Sequence, residues 1–150
     1  MKIKEVKPIN FIYFRTETTL KELGNFLHVG QELFHEAVKH DLMITGPVHW
    51  HYFNFSGDEQ KPFTLEISLP VGNVLQSYDG KFHFKRTGPF KCAVHHHEGS
   101  WLEIGKSYGE LMAYIAQQNL RPLEVSREIY INADFQHPES NTTEIQVAVQ

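Results

Sequence analysis

In the stretch Ser126–Asn132, SREIYIN, the carboxylate Glu128 precedes the strand formers Ile129, Tyr130 and Ile131 and shares strand parity with Tyr130 and Asn132. A carboxylate on a half-buried strand is either solvated at an edge or set into a cavity. Burial without a partner raises its pKa. There it can pair with a cationic ligand, or act as a general acid or base. Trp50, Tyr52 and Asn54 in VHWHYFNF alternate in the same way, and Trp101 and Tyr108 add further rings. Aromatic residues make up 13% of the chain, an excess that means either a heavy core or a ring-lined ligand cavity. Tyr108 lies on an apolar helix stripe, where core is the leading reading, and Tyr114 is a weaker candidate. Each flat ring in a cavity adds cation–π attraction of about 0.5–2 kcal/mol.

Other reactive residue types give weaker signals. His49 and His51 share one strand face, as do His95 and His97, and four imidazoles on adjacent strands could hold Zn²⁺. No Cys or Asp completes a spaced ligand set, and His51 falls on the side assigned below to the helices, which suits an interior histidine. Cys92 is the only cysteine, so no intramolecular disulfide is possible. With no base nearby, it reads as a small buried hydrophobe. The ten glycines are spread among turns rather than gathered into a phosphate-cradling loop. No metal or cofactor is expected.

The elements that must position these residues follow from periodicity. A strand is predicted around Phe11–Arg15, then a helical segment from about Thr18 to His40 with apolar residues at Leu20, Leu23, Phe26, Leu27, Leu33, Phe34, Ala37 and Val38. Gly24 and Gly30 should bend or break it. VHWHYFNF and FTLEISLPV read as strands, the second alternating Leu65, Ile67, Leu69 and Val71 with polar neighbours. The same course then repeats. KFHFKRTGPFKCAVHHHEG holds one or two strands interrupted at Gly88–Pro89, a helix spans about Glu103–Asn119, and REIYIN and TEIQVAV are strands.

Val29–Val71 overlays Ser107–Val149 without a gap at an offset of 78 residues. Identities fall at Glu32/Glu110, Leu33/Leu111, Leu42/Leu120, Tyr52/Tyr130, Asn54/Asn132, Thr64/Thr142, Glu66/Glu144, Ile67/Ile145 and Val71/Val149. The expected fold is α+β: a tandem β-α-β-β repeat with pseudo-two-fold symmetry, in one domain over residues 1–150, with repeats at about 8–72 and 80–150. The sheets are antiparallel, with helices on one face and a ligand groove on the other. The apolar rows Ile67, Leu69 and Val71, with Ile145, Val147 and Val149, are assigned to the helices, as are Ile129 and Ile131. Glu128, Tyr130 and Asn132, with Trp50, Tyr52 and Asn54, then lie on the bare face and wall the groove.

Size and charge narrow the function. The net charge of −4, with Lys and Arg scattered, argues against a nucleic-acid partner. No run approaches the roughly 18–20 apolar residues of a membrane span. The N-terminus lacks the h-region of a secretory signal, so the default location is cytoplasmic.

TGPVHWHYFNF followed by LEISLPV resembles the first-half signature of the GyrI-like, or bacterial effector-binding, small-molecule-binding domains. HHHEGSWLEIGKSYGELMAYIAQQNL resembles their second-half signature, and REIYIN with TEIQVAV their closing Glu-x-Tyr and Thr-Glu-Ile strands. The resemblance implies a central pocket for organic molecules, often cationic or planar. Glu128 matches the buried Glu that pairs with the ligand's charge in the multidrug-responsive activators, and His97 matches a position near a strand end, with a structural or pocket-rim role. Trp101 stands where a Tyr is common, and Trp50 occupies a variable wall position. With about ten residues before the first predicted strand, the chain is read as a stand-alone form without its own DNA-binding region. The reading is a binding module for a small organic ligand, using Glu128, Trp50, Tyr52, Tyr130, Trp101 and Tyr108. Two alternatives stay open. Some free-standing members are similar to hydrolases of cyclopropanoid xenobiotics, which here would use Glu128 with Tyr130 or Tyr108. The family name also suggests an inhibitor that partners a topoisomerase.

Overall fold

The computed structural model describes residues 1–150. In chain order the elements are β1 Lys2–Val6, β2 Asn10–Thr18, α1 Val29–Lys39, β3 His49–Phe53, β4 Phe63–Pro70, β5 His83–Arg86, β6 Phe90–Glu98, α2 Ile104–Gln117, β7 Pro122–Asn132 and β8 Thr142–Val149. All eight strands form one antiparallel sheet, ordered β1-β6-β8-β7-β3-β4-β2-β5. The repeats β2-α1-β3-β4 and β6-α2-β7-β8 meet where β3 pairs with β7. Each repeat's leading short strand crosses over: β1 pairs with β6 and β5 with β2. β1 is an addition to the elements read from sequence, because KIKEV is a short, charged edge strand with little apolar pattern.

The helical stretch expected from Thr18 does break, into a 3₁₀ segment, Leu20–Phe26, and then α1. α1 buries Val29, Leu33 and Ala37, and α2 buries Ser107, Leu111 and Ile115, the same three positions at the repeat offset. Full burial of Leu33 and Leu111 contributes about 1.5–3 kcal/mol each. The helices also end alike. Asp41 and Asn119 adopt left-handed φ of 56° and 57°, conformations that short polar side chains tolerate. Leu42 N–H then reaches back to the Ala37 carbonyl at 2.9 Å and Leu120 N–H to that of Ile115 at 3.2 Å, closing a Schellman turn at each helix end. The identity Leu42/Leu120 thus marks a shared cap.

Each helix packs on its own repeat, giving two separate cores. One gathers Val29, Leu33, Ala37, Leu65, Ile67 and Leu69; the other gathers Ala93, Leu111, Ile115, Ile145, Val147 and Val149. The assignment of β4 and β8 therefore holds, but that of β3 and β7 is reversed. Trp50 lies directly opposite Ile67 on β4 and Glu128 on β7, and Glu128 opposite Ile145. Residues opposite one another point to one side of a sheet. Glu128, Tyr130, Trp50 and Tyr52 therefore face the helices, and the groove lies on the helix side rather than the bare one. The helices sit over the outer parts of the two repeats and leave the β3–β7 seam between them, where Trp50 and Tyr52 form the inner margin of the first core, Tyr130 packs against it, and all three also line the cavity together with Glu128. Ile129, His49, His51 and Arg127 point to the other face.

Candidate functional site

Glu128 lies on β7 at the pseudo-dyad, only 8% exposed. Three phenols converge on its carboxyl. Tyr108 of α2 donates to Oε2 at 2.6 Å, Tyr130 of β7 donates to Oε1 at 2.7 Å, and Tyr52 of β3 donates to the same Oε1 at 3.3 Å. No cationic side chain forms an ion pair with it. Burial is the largest influence and raises its pKa; the hydroxyls of Tyr108, Tyr130 and Tyr52, and more weakly the charge of His97, pull it back without cancelling the rise. Burial, reinforced by the charge of Glu128, holds all three phenols well above their ordinary range. They stay protonated and act as donors. Such charge-assisted bonds contribute about 1.5–3 kcal/mol each, against a desolvation cost of several kcal/mol for a buried carboxylate.

A cavity of about 1010 Å³ opens above this cluster. It is bounded by the β3–β7 seam, the first turns of α1 and α2, and the 3₁₀ segment at Leu20–Phe26. Trp50 stands edge-on to Tyr130, with centroids 6.2 Å apart and planes at 87°. Trp101 lies edge-on to Tyr130 at 5.4 Å and to Phe135 at 5.6 Å, its indole N–H anchored on Thr143 Oγ1 at 2.9 Å. Quadrupoles favour such crossed rings, which set the walls rigidly.

All six residues nominated from sequence line this cavity: Glu128, Trp50, Tyr52, Tyr130, Trp101 and Tyr108. Tyr108, which the helix stripe placed in the core, makes the shortest bond to the carboxylate. Tyr114 packs against the second core instead. Sequence reasoning missed Leu23, Leu27, Gly30 and Val48, which line the side of the cavity formed by the first repeat. Part of the signal was present: subtracting the offset of 78 from the nominated Trp101 and Tyr108 gives Leu23 and Gly30, whereas Leu27 and Val48 answer to Gly105 and Ser126, which sequence reasoning did not single out.

The histidines separate. β6 and β3 are kept apart by β8 and β7, so the two His-x-His pairs do not meet. No three His, Cys, Asp or Glu side chains converge as a metal-ligand set. His49 Nδ1 and His51 Nε2 share a hydrogen bond of 3.0 Å on the bare face, against the edge of Phe11. Burial pushes His49 down to about 3, so the pair is neutral. His51 is interior as expected, but on the side away from the helices. The His97 Nε2–H donates to the Ser100 carbonyl at 2.7 Å, and Nδ1 shares a hydrogen bond of 2.8 Å with the Ser107 hydroxyl, which ties β6 to the α2 turn carrying Tyr108. Cys92 is fully buried, and burial raises its thiol to about 11. No helix is long and apolar enough to cross a membrane.

Solved structures share this architecture. The chain aligns over 99% of its length with the C-terminal domain of EcmrR, covering 96% of that domain at 18% identity and a TM-score of 0.81. It spans 56% of the longer EcmrR chain seen bound to DNA in a cryo-EM complex, again at a TM-score of 0.81. It aligns at 16% identity with SAV2435 bound to tetraphenylphosphonium, covering 99% of this chain and 93% of that one at a TM-score of 0.69. A hydrolase from Listeria innocua matches at 13% identity, with coverage of 99% and 92% and a TM-score of 0.65. No match is found among curated protein sequences. The family model of the GyrI-like small molecule binding domain matches residues 1–150. With its two helix-capped repeats closing over one cavity, the chain belongs to the GyrI-like small-molecule-binding domains.

Proposed function

We propose that this protein binds an organic cation in the cavity, with Glu128 as counter-ion and Trp50, Tyr52, Trp101, Tyr108 and Tyr130 as walls and positioning donors. The observation that carries the reading is a buried carboxylate held by three neutral phenols with no basic side chain of its own. A cation that brings its charge to about 4 Å of Glu128 gains on the order of 4 kcal/mol at the effective dielectric of such sites. It also meets ring faces worth about 0.5–2 kcal/mol each. A small, strongly hydrated ion would lose too much solvation to enter, whereas a large apolar cation gains from both walls and charge. SAV2435, of the same fold, holds tetraphenylphosphonium.

Calorimetry with tetraphenylphosphonium and neutral triphenylphosphine oxide tests this. Glu128→Gln is expected to weaken the cation by about 30-fold, roughly 2 kcal/mol, while the neutral compound changes by less than about twofold. Equal losses for both would count against the reading.

A hydrolase is the second reading, favoured by the raised pKa of Glu128 beside two closely bonded phenols. A carboxyl so poised can protonate a leaving group or activate water, assisted by Tyr108 or Tyr130. Turnover of a cyclopropanoid electrophile, abolished in Glu128→Gln while binding persists, would favour catalysis over capture.

A further inference from the structure

The cavity straddles the pseudo-dyad, and its two sides can be compared residue by residue at the offset of 78. On the second-repeat side stand Trp101, Tyr108, Ser126 and Glu128; on the first-repeat side their equivalents are Leu23, Gly30, Val48 and Trp50. Three of the four exchanges replace a hydrogen-bonding side chain with an aliphatic one or with none, and the fourth replaces the only carboxylate of the row with the uncharged indole of Trp50. The first-repeat side does keep a tyrosine, Tyr52, but its hydroxyl points across the seam to Glu128. One half of the cavity therefore holds a carboxylate ringed by phenols, and the other a mainly apolar lobe in which Leu20, Leu23, Leu27, Val48 and Phe55 outnumber the polar Gln31 and Ser56.

Gly30 sets the depth of that lobe. It occupies the place of Tyr108 near the start of α1, so no ring crosses the space there. A Cβ built at Gly30 would meet the Val48 methyls at 3.5 and 3.8 Å, ordinary contact, so a side chain would fit at its root and extend into the cavity. Gly24 also lines the lobe, and a Cβ there would meet nothing within 4 Å.

We infer that the ligand is a cationic amphiphile bound in one orientation, its charged head at Glu128 and a flexible apolar tail in the first-repeat lobe, with Gly30 setting the tail length accepted. This rests on the reading of Glu128 as a cation site. A compact cation of uniform apolar surface would leave the first-repeat lobe unused, whereas a tail fills it and removes apolar surface from water in proportion to its length.

The test is calorimetry with n-alkyltrimethylammonium salts from tetramethylammonium to the dodecyl compound, kept below micelle-forming concentrations. In the wild type, affinity should rise roughly fourfold per added methylene until the lobe is full. Gly30→Leu should reach its plateau about three methylenes earlier, cutting the total gain from shortest to longest tail at least tenfold. Glu128→Gln should lower all tail lengths by a common factor. If circular dichroism shows Gly30→Leu to be unfolded, Gly24→Leu takes its place, with the same early plateau expected. Affinity independent of tail length in the wild type overturns the inference, and so does a folded lobe variant that loses all lengths equally. If neither an alkylammonium nor tetraphenylphosphonium binds, the cation reading of the site falls with it. If tetraphenylphosphonium binds in a Glu128-dependent manner and the tails add nothing, the bipartite ligand alone is overturned.

Discussion

Glu128 and Glu144 lie on neighbouring strands of one sheet, pointing to opposite faces, and the protein treats them oppositely. Glu144 meets Lys4 at 3.3 Å, His96 at 3.0 Å and Gln146 at 2.6 Å. Burial pushes its pKa up, but Gln146, His96 and Lys4 outweigh burial and leave it lowered. Its repeat equivalent Glu66, 2% exposed, is held by Lys85 and by Arg15 at 3.4 Å. Both bare-face acids thus take a lysine from a crossed-over edge strand, β1 or β5. At the seam Glu128 answers to Trp50 in the other repeat, and the chain brings this acid phenols but no cation. Where the fold needs a buried carboxylate for itself, it supplies the positive charge; the contrast is why we place the partner of Glu128 outside the chain.

The largest expected effect comes from removing that internal charge. Lys85→Met leaves Glu66 buried with only the exposed Arg15 and should cost about 3 kcal/mol in urea unfolding. Glu128→Gln, which neutralises a carboxylate that has no basic partner to lose, should stay within about 1 kcal/mol of wild type in the same measurement. Similar losses in the two variants would erase the distinction between the faces.

A smaller effect has opposite signs at the two acids. The pKa of Glu128 is raised in the folded state, so its stabilising contribution is fully present below about 4.5 and is lost as pH rises through the folded value. The pKa of Glu144 is lowered, so its contribution is present above about 4.5 and is lost as pH falls through the folded value. Relative to Glu128→Gln, the wild type should therefore lose stability on going up from pH 4.5. Relative to Glu144→Gln, it should lose stability on going down. Unfolding free energies from pH 3 to pH 7 supply both curves, and slopes of the same sign would break the comparison.

The faces also show what a single sequence conveys. Helix stripes, most strand spans and the 78-residue repeat were legible because periodicity records them directly, including the Leu42/Leu120 identity, whose place in a shared cap only the backbone hydrogen bonds reveal. Glu128 was legible as a carboxylate out of place. The side it points to was not, because the central strands are buried on both faces: every residue of β4 is buried, and four of five in β3. Alternation then separates two sets of residues without saying which set meets the helices. Assigning the apolar set, Ile129 and Ile131, to the helices fails at the seam, where the helix side holds a cavity instead of packing. Tyr108 was undervalued for a related reason, since a helix stripe that borders a cavity has the same period as one that fills a core. Gly30 and Leu23 have no chemistry of their own and gain meaning only opposite Tyr108 and Trp101.

The smallest expected effect concerns how the two cations share Glu66. Arg15 has 59% of its side chain exposed and meets Glu66 Oε2 at 3.4 Å, while the Lys85 side chain is 28% exposed. The Lys85 ammonium also lies over the Tyr13 ring, 4.5 Å from its centroid. Water and salt screen the outer contact far more than the inner one. Arg15→Ala should therefore cost no more than about 0.5 kcal/mol, against about 3 for Lys85→Met. Raising the salt concentration should shrink the Arg15 effect towards zero and leave most of the Lys85 effect in place. The two together decide whether Glu66 is neutralised by one half-buried partner or by a diffuse field. A loss at Arg15 comparable to that at Lys85 would mean that the bare face secures its acid by summed surface charge, and the contrast with the phenol-held Glu128 would then be one of degree.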